Sequence, residues 1–184
     1  MKISSIACFR LQLLCLAVLG FFTAPVMSRA EMPSVGLYYG RGLGETDFNQ
    51  YDLHVALPLH WQKSFSSQWV IHSDIEAIVS VLEHEETAFK PSLMVNMIFS
   101  SPGNKVDIIA GLGAGFMIGD TLFKDDESYH DLGGPFFMQG QVGIRLYLTD
   151  HIFAGCRYFH QSNAGIYEQN DSLNLGQFEI GWRF

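Results

Sequence analysis

The chain is poor in cysteine and in positive charge, and the second shortage bears directly on function. Its 184 residues include three cysteines. There are 11 Lys and Arg residues and 19 Asp and Glu residues, which gives a formal net charge of −8. Nucleic acids are bound by clustered Lys and Arg, which neutralise the phosphate backbone. The acidic balance therefore argues against nucleic acid as a partner.

The N-terminal apolar run is too short to cross a bilayer as a helix. The run 11–22 has 12 residues, whereas a spanning helix needs roughly 20. Basic residues precede the run, and the small residues Ser28 and Ala30 follow it at the −3 and −1 positions of a cleavage site. This pattern predicts a secretory signal peptide over residues 1–30.

The remaining residues, 31–184, are long enough for one domain. Removing residues 1–30 takes away three basic residues, two cysteines and no acid, so the mature chain has a net charge of −11 and retains only Cys156. An intramolecular disulfide is therefore excluded. No internal repeat, linker or low-complexity segment divides the sequence, which favours a single domain.

A period of two in hydrophobicity runs through most of the chain. In 51–61 the odd positions are apolar or aromatic, while the even ones are mostly polar. Sustained alternation of this kind predicts β-strands. Eight segments are predicted as strands: 34–42, 51–61, 69–81, 89–100, 105–118, 135–148, 152–162 and 174–184.

The strand lengths and connections favour a barrel in a bilayer. If the N-terminus is periplasmic, the inner turns are 63–68, 101–104 and 149–151, and the outer loops are 43–50, 82–88, 119–134 and 163–173. Short inner turns and longer outer loops are typical of outer-membrane barrels. The prediction is an all-β, eight-stranded antiparallel transmembrane β-barrel of the outer-membrane type.

The last strand supports this location. Apolar or aromatic residues alternate along it, and it ends at Phe184, an ending that resembles the signal read by the barrel assembly machinery of the outer membrane. The alternative is a secreted soluble barrel whose apolar residues surround a small ligand. That alternative leaves the loop asymmetry and the terminal Phe unexplained.

Near the end of the seventh predicted strand, His160 and Ser162 share one face. Residues two apart in a strand project to the same side, and here that side also carries the apolar Cys156 and Tyr158. A base and a nucleophile would thus face lipid at the outer end of the barrel. The alternative is that both belong to the polar girdle above the hydrocarbon.

The motif FHQSNAGI at 159–166, followed by Asn170 and Asp171, resembles the lipid A 3-O-deacylase family, PagL. The resemblance implies an integral outer-membrane serine esterase that removes the ester-linked 3-O-acyl chain of lipid A in lipopolysaccharide. It also implies that Ser162 is the nucleophile and His160 the general base. Asn163, Ala164 and Gly165 are expected near the oxyanion, and neither a metal nor another cofactor is required.

The chain departs from the family at the third member of the triad. Where the family has Glu, the spacing places Asn174, which pairing of the last two strands would bring beside His160. An Asn can accept the imidazole N–H, as in Cys-His-Asn sites, without supplying a charge. Glu168 and Asp171 in the preceding loop are alternative acids.

Two further interpretations compete with the esterase. Three histidines predicted to face the lumen have acids around them; they suit Zn²⁺, although a polar barrel interior is commonly filled by hydrogen-bonded and charged side chains, and a structural network is the favoured interpretation. They are His54, His60 and His72, with Asp52, Asp74 and Glu76. The alternative function is a non-catalytic small outer-membrane barrel, structural or adhesive, which Ser162→Ala would leave unaffected. Oligomeric state and acyl-chain preference stay open.

Overall fold

The structure is a computed structural model that describes residues 32–43, 48–84, 87–125 and 128–184. Ten strands account for most of these residues. The predicted signal peptide, residues 1–30, lies outside the described residues. The strands are β1 Ser34–Gly42, β2 Asn49–Ser64, β3 Val70–Glu83, β4 Thr87–Ser100, β5 Val106–Phe116, β6 Leu122–Asp125, β7 Ser128–Asp131, β8 Phe136–Tyr147, β9 Ile152–Ser162 and β10 Leu173–Arg183. Within the described ranges, no helix has the length and apolarity needed to cross a membrane.

Eight of these strands close into a barrel. The order around the barrel is β1-β10-β9-β8-β5-β4-β3-β2, and each neighbouring pair is antiparallel. Closure pairs the first strand with the last, from Ser34 opposite Arg183 to Gly42 opposite Leu175. The predicted fold class is confirmed, and closure leaves no unpaired sheet edge within the barrel.

The alternation seen in the sequence becomes an apolar outside and a polar inside. In β2, Tyr51 is 46% exposed whereas Gln50 and His54 are fully buried. The pattern breaks where the β2–β3 register shifts between Pro58 and Gln62. His60 follows Pro58 and is exposed, so the prediction that it faces the lumen is wrong. A bulge changes the parity of the residues it contains.

The lumen is filled by a network of buried charges. Glu179 lies 2.8 Å from an Arg145 nitrogen and 3.1 Å from an Arg157 nitrogen. His54 lies between two carboxylates, 2.9 Å from Glu76 and 3.3 Å from Glu179. These ion pairs, together with hydrogen bonds from neutral side chains to other buried charged groups such as Asp74, offset part of the cost of desolvation and make the lumen a packed core.

A hydrophobic cluster closes the outer end, where β1–β2, β3–β4, β5–β8 and β9–β10 connect. The cluster comprises Phe48, Leu82, Ala88, Met117, Phe123, Leu132, Phe137, Phe159, Leu173 and Leu175. Strands β6 and β7 form a separate two-stranded hairpin within the β5–β8 connection. The sequence predicted this segment only as a loop.

The predicted loop asymmetry holds for part of the molecule. The long outer connections are 117–135 and 163–172, whereas β3 and β4 pair up to Glu83 opposite Thr87 and leave only 84–86 between them. The inner connections are 65–69, 101–105 and 148–151. The two long outer connections therefore flank β9 and lie on the side of the barrel that carries His160.

Candidate functional site on the outer wall

Strands β9 and β10 bring His160 and Asn174 together on the outer wall. The two residues are direct partners in the antiparallel register, and His160 Nδ1 lies 2.8 Å from Asn174 Oδ1. Both side chains are half-buried. The pairing expected from the spacing of 14 residues is thus present, in hydrogen-bond geometry.

This contact determines which ring nitrogen of His160 is free. A carbonyl oxygen only accepts hydrogen bonds, so Nδ1 must carry the proton that it donates to Asn174. The neutral ring then has an unprotonated Nε2, the nitrogen that a general base uses. Ser162 follows on the same outer face of β9, about 7 Å along the strand between Cα atoms.

Asn174 is itself held by two further hydroxyl groups. Tyr158 donates its O–H to Asn174 Oδ1 at 2.6 Å, and Asn174 Nδ2 donates to Ser172 Oγ at 3.2 Å. These bonds hold the amide with its oxygen toward His160. Tyr158 was expected only as part of the apolar wall, although its position two residues before His160 on the same face was the available signal.

The expected oxyanion residues form a tight turn after β9. Asn163 is buried, and its side-chain nitrogen donates to the carbonyls of Leu132 and Gln169. Its side-chain oxygen accepts the Gly165 N–H at 2.8 Å, and its own N–H bonds to Asn170 at 2.9 Å. The side chain of Asn163 therefore organises the turn in this structure, and its expected place near an oxyanion stays a prediction.

Ala164 differs from its two neighbours in the turn. It has φ of +54°, in the left-handed region that few residues other than Gly adopt. No described residue accepts a hydrogen bond from its N–H. Of the three expected backbone or side-chain donors, Ala164 is thus the one whose N–H is not committed within the turn.

The two alternative acids lie in the loop but have other surroundings. Asp171 accepts the Asp131 N–H at 2.8 Å and donates its own N–H to the Asp131 carbonyl at 3.0 Å. Glu168 is exposed, and no ion pair joins it to His160 in the described part of the chain. Asn174 is therefore the partner that the structure gives to the imidazole.

The neighbouring β5–β8 connection supports this loop from the side. Gly133 has φ of +83°, and a Cβ there would lie 2.0 Å from the Gln169 carbonyl oxygen. A Cβ on Gly134 would lie 2.6 Å from the Tyr167 ring. Only glycine permits so close an approach, so the turn after Ser162 is packed directly against a second outer loop.

An apolar groove begins at His160 and runs along the outer wall. Its volume is about 700 Å³. It is lined by residues of β2, β3, β4, β5, β8 and β9, among them Trp61, Met97, Leu112, Val142, Tyr158 and His160. Gly140, opposite His160 on β8, adds no side chain to the floor of the groove. The site therefore opens toward the bilayer.

Within the described ranges, the residues of this site are not joined by a cluster of metal-binding side chains. Among the described residues there is no group of three or more His, Cys, Asp or Glu side chains placed to hold an ion. The histidines weighed for Zn²⁺ are separated, since His54 lies in the charged network while His72 bonds to Ser100 at 3.0 Å. They belong to the packing of the lumen.

A closed eight-stranded barrel with an apolar exterior and a filled polar lumen defines a small integral outer-membrane protein. A model of the family described as lipid A 3-O-deacylase (PagL) matches residues 49–183. The match spans most of the chain and all barrel strands except β1. The chain belongs to the lipid A 3-O-deacylase (PagL) family.

Individual relatives agree with this assignment. The lipid A deacylase PagL of Bordetella bronchiseptica is 24% identical over 174 residues, covering 92% of this chain and 93% of that protein. The crystal structure of the outer membrane enzyme PagL superposes with a TM-score of 0.66 at 18% identity, covering 80% of this chain and 97% of the other. The N-terminal β-barrel domain of Pseudomonas aeruginosa OprF has a TM-score of 0.58 at 13% identity, covering 84% and 98%. The two structures support the fold alone.

Proposed function

We propose that the protein is an outer-membrane serine esterase that hydrolyses the 3-O-linked acyl chain of lipid A. The observation that carries the proposal is the 2.8 Å contact between His160 Nδ1 and Asn174 Oδ1, with Ser162 following on the same lipid-facing side. A site on the wall at the outer end meets lipopolysaccharide in the outer leaflet of a Gram-negative cell. The family assignment supports the same substrate.

The first step transfers the acyl chain to the enzyme. His160 Nε2 takes the proton of the Ser162 hydroxyl while Oγ attacks the ester carbonyl carbon, giving a tetrahedral intermediate. The intermediate collapses by breaking the bond to the 3-oxygen of the sugar. His160 returns its proton to that oxygen, leaving the acyl chain esterified to Ser162.

The second step uses water. His160 takes a proton from a water molecule, whose oxygen attacks the acyl carbonyl, and the bond to Ser162 Oγ then breaks. The proton returns to Ser162, and a fatty acid is released. In both steps Asn174 keeps the proton on Nδ1 and orients the ring, but as a neutral group it stabilises the imidazolium less than a carboxylate does.

Negative charge on the carbonyl oxygen requires a hydrogen-bond donor. Within the turn 163–165, the Ala164 N–H is available, whereas the Gly165 N–H and the Asn163 amide are bonded to other groups. Ala164 is therefore assigned as the principal oxyanion donor. Asn163 and Gly165 hold the turn that presents this N–H.

The groove from His160 provides a place for the scissile chain. Leu112 is 75% exposed and Val142 is 52% exposed. An acyl chain that lies between these two side chains therefore replaces apolar contacts with lipid by apolar contacts with the protein. Lateral approach along the wall lets the substrate react without leaving the bilayer. The lumen, filled by paired charges, takes no part in binding.

The test is mass spectrometry of lipid A from cells that express the protein at equal, verified levels in the outer membrane. The wild type is expected to remove one 3-O-acyl chain. Ser162→Ala is expected to abolish that loss, and Ser66→Ala, an exposed serine in the inner β2–β3 turn, is the matched control with activity retained. Deacylation that persists in Ser162→Ala, or lipid A unchanged by the wild type, contradicts the proposal.

A further inference from the structure

The partner of His160 is an amide, and the two ends of an amide differ chemically. Its oxygen only accepts hydrogen bonds, whereas its nitrogen donates them. With Asn174 Oδ1 toward the ring, His160 Nδ1 carries the proton and Nε2 is free. If the amide were turned by half a rotation, Asn174 Nδ2 would donate to His160 Nδ1 and the ring proton would lie on Nε2. The ring could then not accept the proton of Ser162, so the orientation of the amide decides whether His160 is a base.

Each end of the Asn174 amide contacts one hydroxyl group. Tyr158 Oη lies 2.6 Å from Asn174 Oδ1, and Ser172 Oγ lies 3.2 Å from Asn174 Nδ2. Within the described ranges, neither hydroxyl has a second side-chain partner. Because a hydroxyl can donate as well as accept, the presence of these two groups does not by itself orient the amide.

The two distances favour one orientation over the other. Hydrogen bonds from O–H to oxygen are roughly 2.5–3.0 Å long, and those from N–H to oxygen are roughly 2.7–3.2 Å long. The 2.6 Å contact with Tyr158 therefore suits the oxygen of Asn174 and is too short for its nitrogen. The 3.2 Å contact with Ser172 suits the nitrogen and is too long for the oxygen. Both contacts thus oppose rotation of the amide.

We propose that Tyr158 and Ser172 are positioning residues that hold the Asn174 amide in the orientation that leaves His160 Nε2 free. The catalytic consequence rests on the proposed function, whereas the position of the ring proton does not. A carboxylate would need no such residues, because its two oxygens are equivalent and neither donates. The requirement for two orienting hydroxyl groups therefore follows from the presence of Asn at position 174.

The experiment measures the tautomer of His160 by ¹⁵N NMR of the full barrel, labelled at histidine, in detergent micelles at about pH 9, where imidazole is neutral. The His160 signals are assigned by their loss in His160→Gln. The wild type is expected to show a single tautomer with the proton on Nδ1. Tyr158→Phe combined with Ser172→Ala is expected to show both tautomers in comparable amounts. Tyr39→Phe, which removes a 2.9 Å bond from Tyr to Asn on β1 and β2, is the matched control with the tautomer unchanged.

A carboxylate at position 174 distinguishes orientation from a general structural effect. Asn174→Asp, added to the double variant, is expected to restore the single tautomer with the proton on Nδ1. It should also recover most of the kcat of the double variant, which is expected to be about tenfold below the wild type. Ser172→Ala alone should show a smaller amount of the second tautomer, and Ser172→Thr, which keeps the hydroxyl, none. The single variant also provides the test if the double variant does not fold.

The NMR measurement requires no substrate, so it separates this proposal from the esterase. If the wild type hydrolyses no lipid A but the tautomer responds as expected, the esterase fails and the positioning role stands. If the variants that lack the hydroxyl groups keep a single tautomer with the proton on Nδ1, the positioning role is overturned. It is also overturned if Asn174→Asp does not restore that tautomer in the double variant.

Discussion

Two histidines of this barrel have opposite surroundings, although both stand at alternating positions of a strand. His54 is fully buried in the lumen, stacked on Tyr38 at 4.2 Å between ring centroids and placed between Glu76 and Glu179. His160 is half-buried on the outer wall, where it contacts a neutral amide. The inner histidine is held by charge and packing on every side, whereas the outer one has one face open.

The comparison separates polar residues that serve stability from those that serve chemistry. In the central network of the lumen, Glu179 lies beside Arg145 and Arg157, since an unpaired ion in a packed core is strongly destabilising. Outside, polar groups facing lipid cost free energy unless they lie near an interface. A His, a Ser and an Asn clustered at the outer end of an apolar face therefore indicate a function more strongly than the larger charged network does.

Exchange of each histidine for Ala should give the largest effects, and the two effects should differ in kind. His160→Ala is expected to lower kcat by about 10³-fold or more, because no base remains for Ser162, while the unfolding midpoint stays unchanged. His54→Ala should destabilise the barrel by about 2–4 kcal/mol, because Glu76 and Glu179 lose the group between them. Activity per folded molecule measures the first effect, and denaturant unfolding in liposomes measures the second. If both variants lost activity and stability to the same extent, the distinction between a catalytic and a structural histidine would be contradicted.

Asn174 tests how much the outer site depends on charge. Asn174→Ala is expected to lower kcat about 100-fold, because the ring loses the acceptor that fixes its tautomer. Asn174→Glu should raise kcat about tenfold, since a carboxylate favours the imidazolium by roughly 1.4 kcal/mol per pKa unit. Steady-state kinetics on lipid A measures both. Equal rates in all three proteins would remove Asn174 from the mechanism.

Substitution of Tyr158 tests whether the Asn174 side chain needs a hydrogen bond from Tyr158 in addition to the one from His160. Tyr158→Phe removes the 2.6 Å hydrogen bond to Asn174 Oδ1 but keeps the ring in the wall of the groove. We expect kcat to fall about 3- to 10-fold, in line with one hydrogen bond, with KM unchanged. A raised KM at constant kcat would instead make Tyr158 a lipid contact.

The loop acids should give the smallest effects. Asp171→Asn keeps an oxygen for the Asp131 N–H, and Glu168 is exposed, so Asp171→Asn and Glu168→Gln are each expected to leave kcat within about threefold of the wild type. The same kinetic assay applies. A loss approaching that of His160→Ala in either variant would identify that acid as the triad member in place of Asn174.

Much of this arrangement could be predicted from the sequence because it depends on strand parity. Alternation places His160 and Ser162 on one face, and antiparallel pairing of consecutive strands places Asn174 opposite His160. Both follow from the period of two and from neighbours in the chain. The eight strands and the closed barrel are confirmed for the same reason.

The features that were missed depend on contacts between distant segments. The β6–β7 hairpin lies in one long loop, and the bonds from Asn163 to Leu132 and Gln169 join two loops. The exposure of His60 results from a local shift in register. The alternation of apolar and polar residues predicts none of these features, because loops and bulges interrupt the period of two from which strands are predicted.

Some sequence predictions stay predictions. The signal peptide over 1–30 lies outside the described residues, and the role of Phe184 in recognition by the barrel assembly machinery and the absence of a nucleic-acid partner likewise stay predictions. Cleavage after Ala30 can be checked by N-terminal sequencing of protein extracted from outer membranes. A mature chain beginning elsewhere would move the domain boundary.

The most direct test of the outer-wall site is covalent trapping of its nucleophile. The folded barrel is incubated with a fluorophosphonate carrying a long alkyl chain, and the modified residue is located by peptide mass spectrometry. The account predicts a single adduct on Ser162 that forms in the wild type and is absent from folded His160→Ala. An adduct on another serine, or labelling of Ser162 that does not depend on His160, would contradict it.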